Sequence, residues 1–244
     1  MFWTPEKIEN YKQASEYTAF HKKLSVLAEP YLDREWTMAD LGCGPGLLAF
    51  YLAPMVASID AIDNDSAAIE DLKKRLDNVA LTDRNTADKI RPRLAPIEDL
   101  KEGESWDVVT LSFFGVSEEV LGSTLPRAKH RALVYMHGRP DTEGPFASYP
   151  DAEKLSLAEL EDYLNRKNLT YKKSVMEMQF GQPFKTIGDI HTFLSGFGDG
   201  SEDSERYIAG AEERIIKTNR FDFPYYLPKS ISVVLFIILV GRSA

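Results

Sequence analysis

The residues best placed to do chemistry lie between positions 40 and 63. Asp40-Leu41-Gly42-Cys43-Gly44-Pro45-Gly46 alternates glycine through a short loop. Missing side chains at Gly42, Gly44 and Gly46 let backbone come close to a ligand, and a helix starting just beyond would present free N–H groups and the positive end of its dipole. A carboxylate or phosphate suits such a loop. Asp63 follows at about the spacing at which an acid meets ribose hydroxyls in dinucleotide folds, where it accepts hydroxyl hydrogen bonds and disfavours a 2′-phosphate. Two plainer readings stand beside these. The glycines also serve tight strand-helix packing, and Asp63-Asn64-Asp65 also reads as a helix-capping turn. Cys43 reads as a small apolar filler, because no adjacent base is visible to activate it as a nucleophile.

These residues need strands and helices to hold them. Thr37–Leu41 reads as a strand, 42–46 as the loop, and Leu47–Ala53 as a helix stopped by Pro54. Val56–Ile62 is the next strand, ending at Asp63, and Asp65 or Ser66 caps a helix reaching Leu76. A weak strand at Arg91–Ala95, a strand at Trp106–Leu111, a helix at Glu118–Leu125 and a strand at Ala132–Met136 continue the alternation. Such repeats predict an α/β fold with a doubly wound sheet. Before them, Thr4-Pro5 opens a short helix, and Phe20, Leu24, Leu27 and Tyr31 predict a second one over 17–31. After them come the loop Gly138–Pro150, a helix from Ser156 to Lys167, a strand at Thr170–Phe180, helices at Ile187–Leu194 and Ser204–Lys217, and an apolar run at Ile231–Val240. The expected organisation is a helical cap at 1–36, a Rossmann-like core at 37–180, a lid insertion at 181–229 and a final core strand at 230–244.

Composition excludes several partners. With 29 Lys+Arg against 38 Asp+Glu the formal net charge is -9, which disfavours bulk binding to nucleic acid or anionic membranes. The run Ile231–Val240 is half the ~20 residues of a spanning helix, and its β-branched content predicts a buried strand. The opening Met1-Phe2-Trp3-Thr4-Pro5 lacks a secretory signal pattern, and one cysteine permits no intrachain disulfide. A cytoplasmic protein is expected. Four scattered histidines and one cysteine form no metal-ligand spacing, so no metal is expected. No feature fixes an oligomeric state.

Asp40-Leu41-Gly42-Cys43-Gly44-Pro45-Gly46 resembles the first motif of the class I S-adenosylmethionine-dependent methyltransferases, an acid, an apolar residue, then Gly-x-Gly-x-Gly. The resemblance continues through Ala61-Ile62-Asp63-Asn64 as the ribose motif, Trp106–Leu111 as the fourth strand and Ile231–Val240 as an antiparallel seventh strand. It implies a seven-stranded Rossmann-like sheet with the last strand antiparallel, under a helical cap or lid, with S-adenosylmethionine as cofactor. The loop residues Gly42, Cys43, Gly44 and Gly46 would pass its methionine end, Asp40 would orient the ammonium group, Asp63 would hold the ribose and Asn64 would flank the adenine. Many relatives read the adenine amino group with an Asp after the third strand. Pro96 stands in its place here, which leaves Glu98 or the Ile97 backbone N–H for that part.

By the same likeness, a small-molecule methyl acceptor would meet the cofactor near Ser112-Phe113-Phe114, beneath the cap. Tyr11, Tyr17 and Phe20 are candidates for contact with the sulfonium through their ring faces. If the acceptor must lose a proton, His137 after the fifth strand is the best-placed base, and His191 on a lid helix is a second candidate; His21 and His130 suggest no role. Two alternatives remain. A scaffold would keep the fold without turnover, and a nicotinamide oxidoreductase would use Gly44-Pro45-Gly46-Leu47-Leu48-Ala49 as its glycine fingerprint.

Overall fold

A computed structural model describes residues 3–139, 154–197 and 202–241. Thr4 caps the first helix by accepting the Lys7 N–H, and Pro5 occupies a position where an N–H has no partner to lose. That helix, α1 (Pro5–Thr18), stops at Ala19, which takes the left-handed conformation (φ 53°), and α2 (Phe20–Ala28) starts immediately after. The second helix, expected over 17–31, therefore begins only at Phe20, because the αL residue turns the chain and puts Phe20 and Leu24 into the core.

Alternation then proceeds through β1 (Thr37–Leu41), α3 (Leu47–Leu52), β2 (Ser58–Asp63), α4 (Ser66–Ala80), α5 (Arg84–Lys89), β3 (Ile90–Leu94), β4 (Trp106–Ser112), α6 (Glu118–Thr124) and β5 (Ala128–His137). Helix α5 was not expected; Asp83 caps it through the Thr86 N–H. The third strand reads weakly because Pro92 interrupts it, and β3 is an edge strand, where a missing donor is tolerated. Next come α7 (Leu157–Arg166), β6 (Thr170–Gln179), β7 (Gln182–Phe184), α8 (Ile187–Ser195), α9 (Glu202–Glu213), β8 (Ile216–Lys217), β9 (Tyr225–Leu227) and β10 (Ser230–Leu239). The capping boxes at Ser156/Glu159 and Thr186/Asp189 form as their spacing predicts. Most of the loop Gly138–Pro150 lies outside the described residues.

The main sheet has seven strands in the order β3-β2-β1-β4-β5-β10-β6. The strands from β3 to β5 run parallel, and β10 pairs antiparallel with both β5 and β6. Val233, Leu235 and Ile237 of β10 face a core with α2, α3 and α4, while Val234, Phe236 and Ile238 face one with α6 and α7. The sheet is thus covered on both faces, and its last strand is antiparallel. The segment 181–229, expected as a lid insertion, departs from the sequence reading. Ile216 and Lys217, expected as the end of a helix, pair with Tyr226 and Tyr225 in a small sheet β7-β9-β8. Phe184, Ile190, Phe193, Leu194 and Leu227 form a core of the lid's own.

Candidate functional site

Parallel strands bring their carboxyl ends to one edge, and the strand order reverses between β1 and β4. Open α/β sheets hold ligands at that crevice. Asp40 near the end of β1, Asp63 ending β2, Ser112 ending β4 and His137 ending β5 all come to this edge.

Asp40 is 1% exposed, and its Oδ1 has no hydrogen-bond partner among the described residues. Burial, reinforced by the Asp63 charge, pushes its pKa up from the ordinary 3.8 to about 7. Asp63 is tied into the loop. Its Oδ2 accepts the Gly44 N–H at 2.7 Å and its Oδ1 accepts the Asp65 N–H at 2.8 Å. The Ile62 carbonyl accepts the N–H groups of Gly42 and Cys43 at 2.8 and 3.1 Å. The capping-turn reading of this segment holds, since Asp65 caps α4.

Gly42, Gly44 and Gly46 all have positive φ, at 69°, 54° and 70°. A Cβ on Gly46 would lie 2.6 Å from Leu72 of α4, so this glycine answers to helix packing. On Gly42 a Cβ would run into the Phe114 ring, and on Gly44 it would stand 3.0 Å from the Trp3 indole. The side chain of Cys43 is half-buried between them, and burial raises its thiol pKa, as do Asp40 and Asp63. A thiol held protonated is a poor nucleophile, as the filler reading requires.

Phe113 adopts φ 52°, and its ring faces those of Phe20 (5.8 Å), Tyr135 (6.4 Å) and His137 (4.7 Å). Tyr11 meets Trp3, His21 and Phe180 edge-on. Burial first and the Asp40 charge second push its phenol pKa up. The structure thus gathers Tyr11, Phe20, Phe113 and His137 into an aromatic wall reaching from the glycine loop to the end of β5. Tyr17 goes elsewhere: it stacks on Tyr226 at 4.7 Å under the Arg220 guanidinium, fastening α1 to the lid. His191 is also outside the wall, with its exposed side chain 3.8 Å from Glu212 of α9. That placement argues against a base at His191. Asn64 and Glu98 are exposed on turns, while Ile97 is buried in the core on the α6 and α7 face.

Sequence reasoning missed His21. It is buried on α2, with the Tyr11 hydroxyl at 3.0 Å from Nε2 and the Ser15 hydroxyl at 2.6 Å from Nδ1. Burial, aided by Arg75, lowers its pKa to about 3, so it stays neutral. It missed Trp3 and Tyr135 as well; the latter donates its hydroxyl to the Leu24 carbonyl at 3.0 Å. Among the described residues no group of three or more His, Cys, Asp or Glu is placed to hold a metal, and no helix is long and apolar enough to cross a membrane.

Comparison with known proteins finds a matching domain and a shared fold. Residues 38–131 match the model of a methyltransferase domain. The ribosomal protein L11 methyltransferase of Ruminiclostridium cellulolyticum is 30% identical over 104 residues, 42% of this chain and 31% of that protein, so the chain matches about a third of the relative's length. Among solved structures, the YcgJ protein of Bacillus subtilis superposes with a TM-score of 0.57 at 12% identity, over 92% of this chain and 100% of that one. The magnesium protoporphyrin IX methyltransferase of Synechocystis PCC 6803, with bound SAH, gives 0.55 at 12% identity, over 98% and 88%. The plantazolicin methyltransferase BpumL gives 0.52 at 17% identity, over 98% and 92%. Residues 38–131 thus match a methyltransferase domain, and the sheet order is that of the class I S-adenosylmethionine-dependent methyltransferase fold.

Proposed function

We propose that the chain transfers a methyl group from S-adenosylmethionine to a small-molecule acceptor. The observation that carries this reading is Asp40: a buried carboxylate with one oxygen unpartnered, beside a glycine loop, is a site prepared for a cation with hydrogen-bond donors. The cofactor's ammonium group is such a cation. Bound there, S-adenosylmethionine supplies a methyl group already activated by its sulfonium charge.

The chain's own part is then to orient and to exclude water, because a methyl group so activated needs in-line placement more than acid-base machinery. Asp40 and the loop Gly42-Cys43-Gly44 would hold the methionine end, and Asp63 would take the ribose hydroxyls on the lone pairs its two backbone hydrogen bonds leave. The turn after β3, with the Ile97 N–H or Glu98, and Asn64 would border the adenine. Ser112, Phe113 and Phe114 would line the acceptor side, with Tyr11 and Phe20 facing the sulfonium and His137 as the base for an acceptor that carries a proton.

A small acceptor is supported by the solved relatives named for magnesium protoporphyrin IX and plantazolicin; the ribosomal protein methyltransferase makes a protein acceptor the second reading. Calorimetric titration with S-adenosylmethionine, NAD and NADP in parallel tests the cofactor. Binding of S-adenosylmethionine alone, lost in Asp63→Ala, is the expected outcome. NAD binding would replace the assignment by an oxidoreductase, and silence toward all three would leave a scaffold.

A further inference from the structure

The bare faces of Gly42 and Gly44 are both covered by aromatic rings, Phe114 from the end of β4 and Trp3 from the segment before α1. Trp3 is held there from two directions. Its backbone N–H donates to Asp65 Oδ2 at 2.9 Å, and its indole meets the Tyr11 ring edge-on at 5.2 Å. Asp65 divides its carboxylate, since Oδ1 caps α4 by accepting the Ala67 and Ala68 N–H groups at 2.9 and 3.2 Å. The contacts close a circuit: indole on Gly44, Gly44 N–H on Asp63, Asp65 N–H on Asp63, and Trp3 N–H on Asp65.

We infer that Trp3 belongs to the cofactor site as a strap across the glycine loop, latched by Asp65, which swings aside to admit a ligand to Gly44 and Asp63. This rests on the reading that the ligand takes the bare face of the loop. Two bodies cannot share that face, so the indole and an incoming cofactor compete for it. The latch is one hydrogen bond to a charged oxygen, weak enough to open in binding and strong enough to keep the strap down otherwise.

Cys43, the single cysteine of the chain, lies between the two covered glycines and reports on the strap without any ligand. The experiment measures its rate of reaction with an aromatic disulfide reagent in the wild-type protein, in Trp3→Ala and in Asp65→Ser. Serine still caps α4 but has one oxygen, which cannot cap and latch together. Both variants should react faster, Asp65→Ser roughly tenfold, the worth of the one charge-assisted hydrogen bond it removes, and Trp3→Ala because it removes the covering ring while keeping the backbone N–H. Thermal midpoints should be unchanged, and saturating S-adenosylmethionine should protect Cys43 in all three proteins. Association of S-adenosylmethionine, followed by stopped-flow fluorescence, should also be faster in both variants. Wild-type labelling rates in the two variants would overturn the strap. Faster labelling without protection by S-adenosylmethionine would keep the strap and overturn the cofactor reading.

Discussion

Asp40 carries the sharpest consequences of any single side chain here. With a folded pKa of about 7 against an ordinary 3.8, it holds a proton between those values that the unfolded chain has released. Its contribution to stability is therefore present at low pH and lost as pH rises through about 7. Asp40→Asn removes this dependence, and urea midpoints at about pH 5 and about pH 8 should differ less in the variant than in the wild type. The ligand follows the opposite course. Affinity for S-adenosylmethionine should rise as pH passes through about 7, with a proton released on binding, and should fall roughly tenfold to a hundredfold in Asp40→Asn at alkaline pH. Calorimetry in buffers of different ionisation enthalpy reads that proton, and its absence would remove Asp40 from the site. At the other end of the wall, His137→Ala should lower kcat by about 10²-fold with an unchanged Kd for S-adenosylmethionine; undiminished turnover would exclude it as the base. Asp40, Asp63 and the glycines were legible because strand, turn and acid lie close along the chain. The Tyr11, His21 and Ser15 cluster was not, since no spacing rule joins residues across a helix break, and Trp3 is a lone aromatic without a period.

At the level of elements, the break at Ala19 shows why some boundaries were hidden. Alanine is the strongest helix former, yet here it sits at φ 53° and ψ 34° while its N–H closes α1 on the Glu16 and Ser15 carbonyls. Tertiary packing decides this position: α2 must turn to bury Phe20, His21 and Leu24. The αL conformation costs an L-residue that glycine escapes. Ala19→Gly should therefore raise the unfolding free energy by about 1 kcal/mol, read from urea denaturation; a loss of stability would mean that glycine's unfolded-state entropy dominates. The lid's small sheet was illegible for a different reason. Strands as short as Ile216–Lys217 and Tyr225–Leu227 are too brief to show alternation, and their pairing is set by cross-strand neighbours. Where a signal spans one turn, as in the capping boxes at Ser156 and Thr186, sequence and structure agree.

For the whole molecule, the alternation of strands and helices was enough to anticipate a doubly wound sheet and the apolar run at 231–240 a buried strand, while its antiparallel direction came from the resemblance to the methyltransferase family. Its pairing partners on both sides, β5 and β6, were not written anywhere local. The net charge of -9 acts at this scale too. The protein should pass through a heparin column at about 50 mM salt near neutral pH, where a phosphate-tracking protein is retained; retention would point to a basic face that the overall charge conceals.

The position of β10 also bears on how the chain is made. β5 and β6 flank it in the sheet, yet both precede it in the chain, and Gln179 and Ser230, hydrogen-bonded across β6 and β10, are 51 positions apart. On the ribosome, β5 and β6 emerge with a gap one strand wide between them and unpaired edges facing into it. The nascent protein cannot close that gap until residues 230–239 arrive, so the strand ending in His137 gains its second neighbour only after β6 and the 181–229 segment have been made. Until then the unfinished sheet is a natural client for chaperones, and β10 is its keystone.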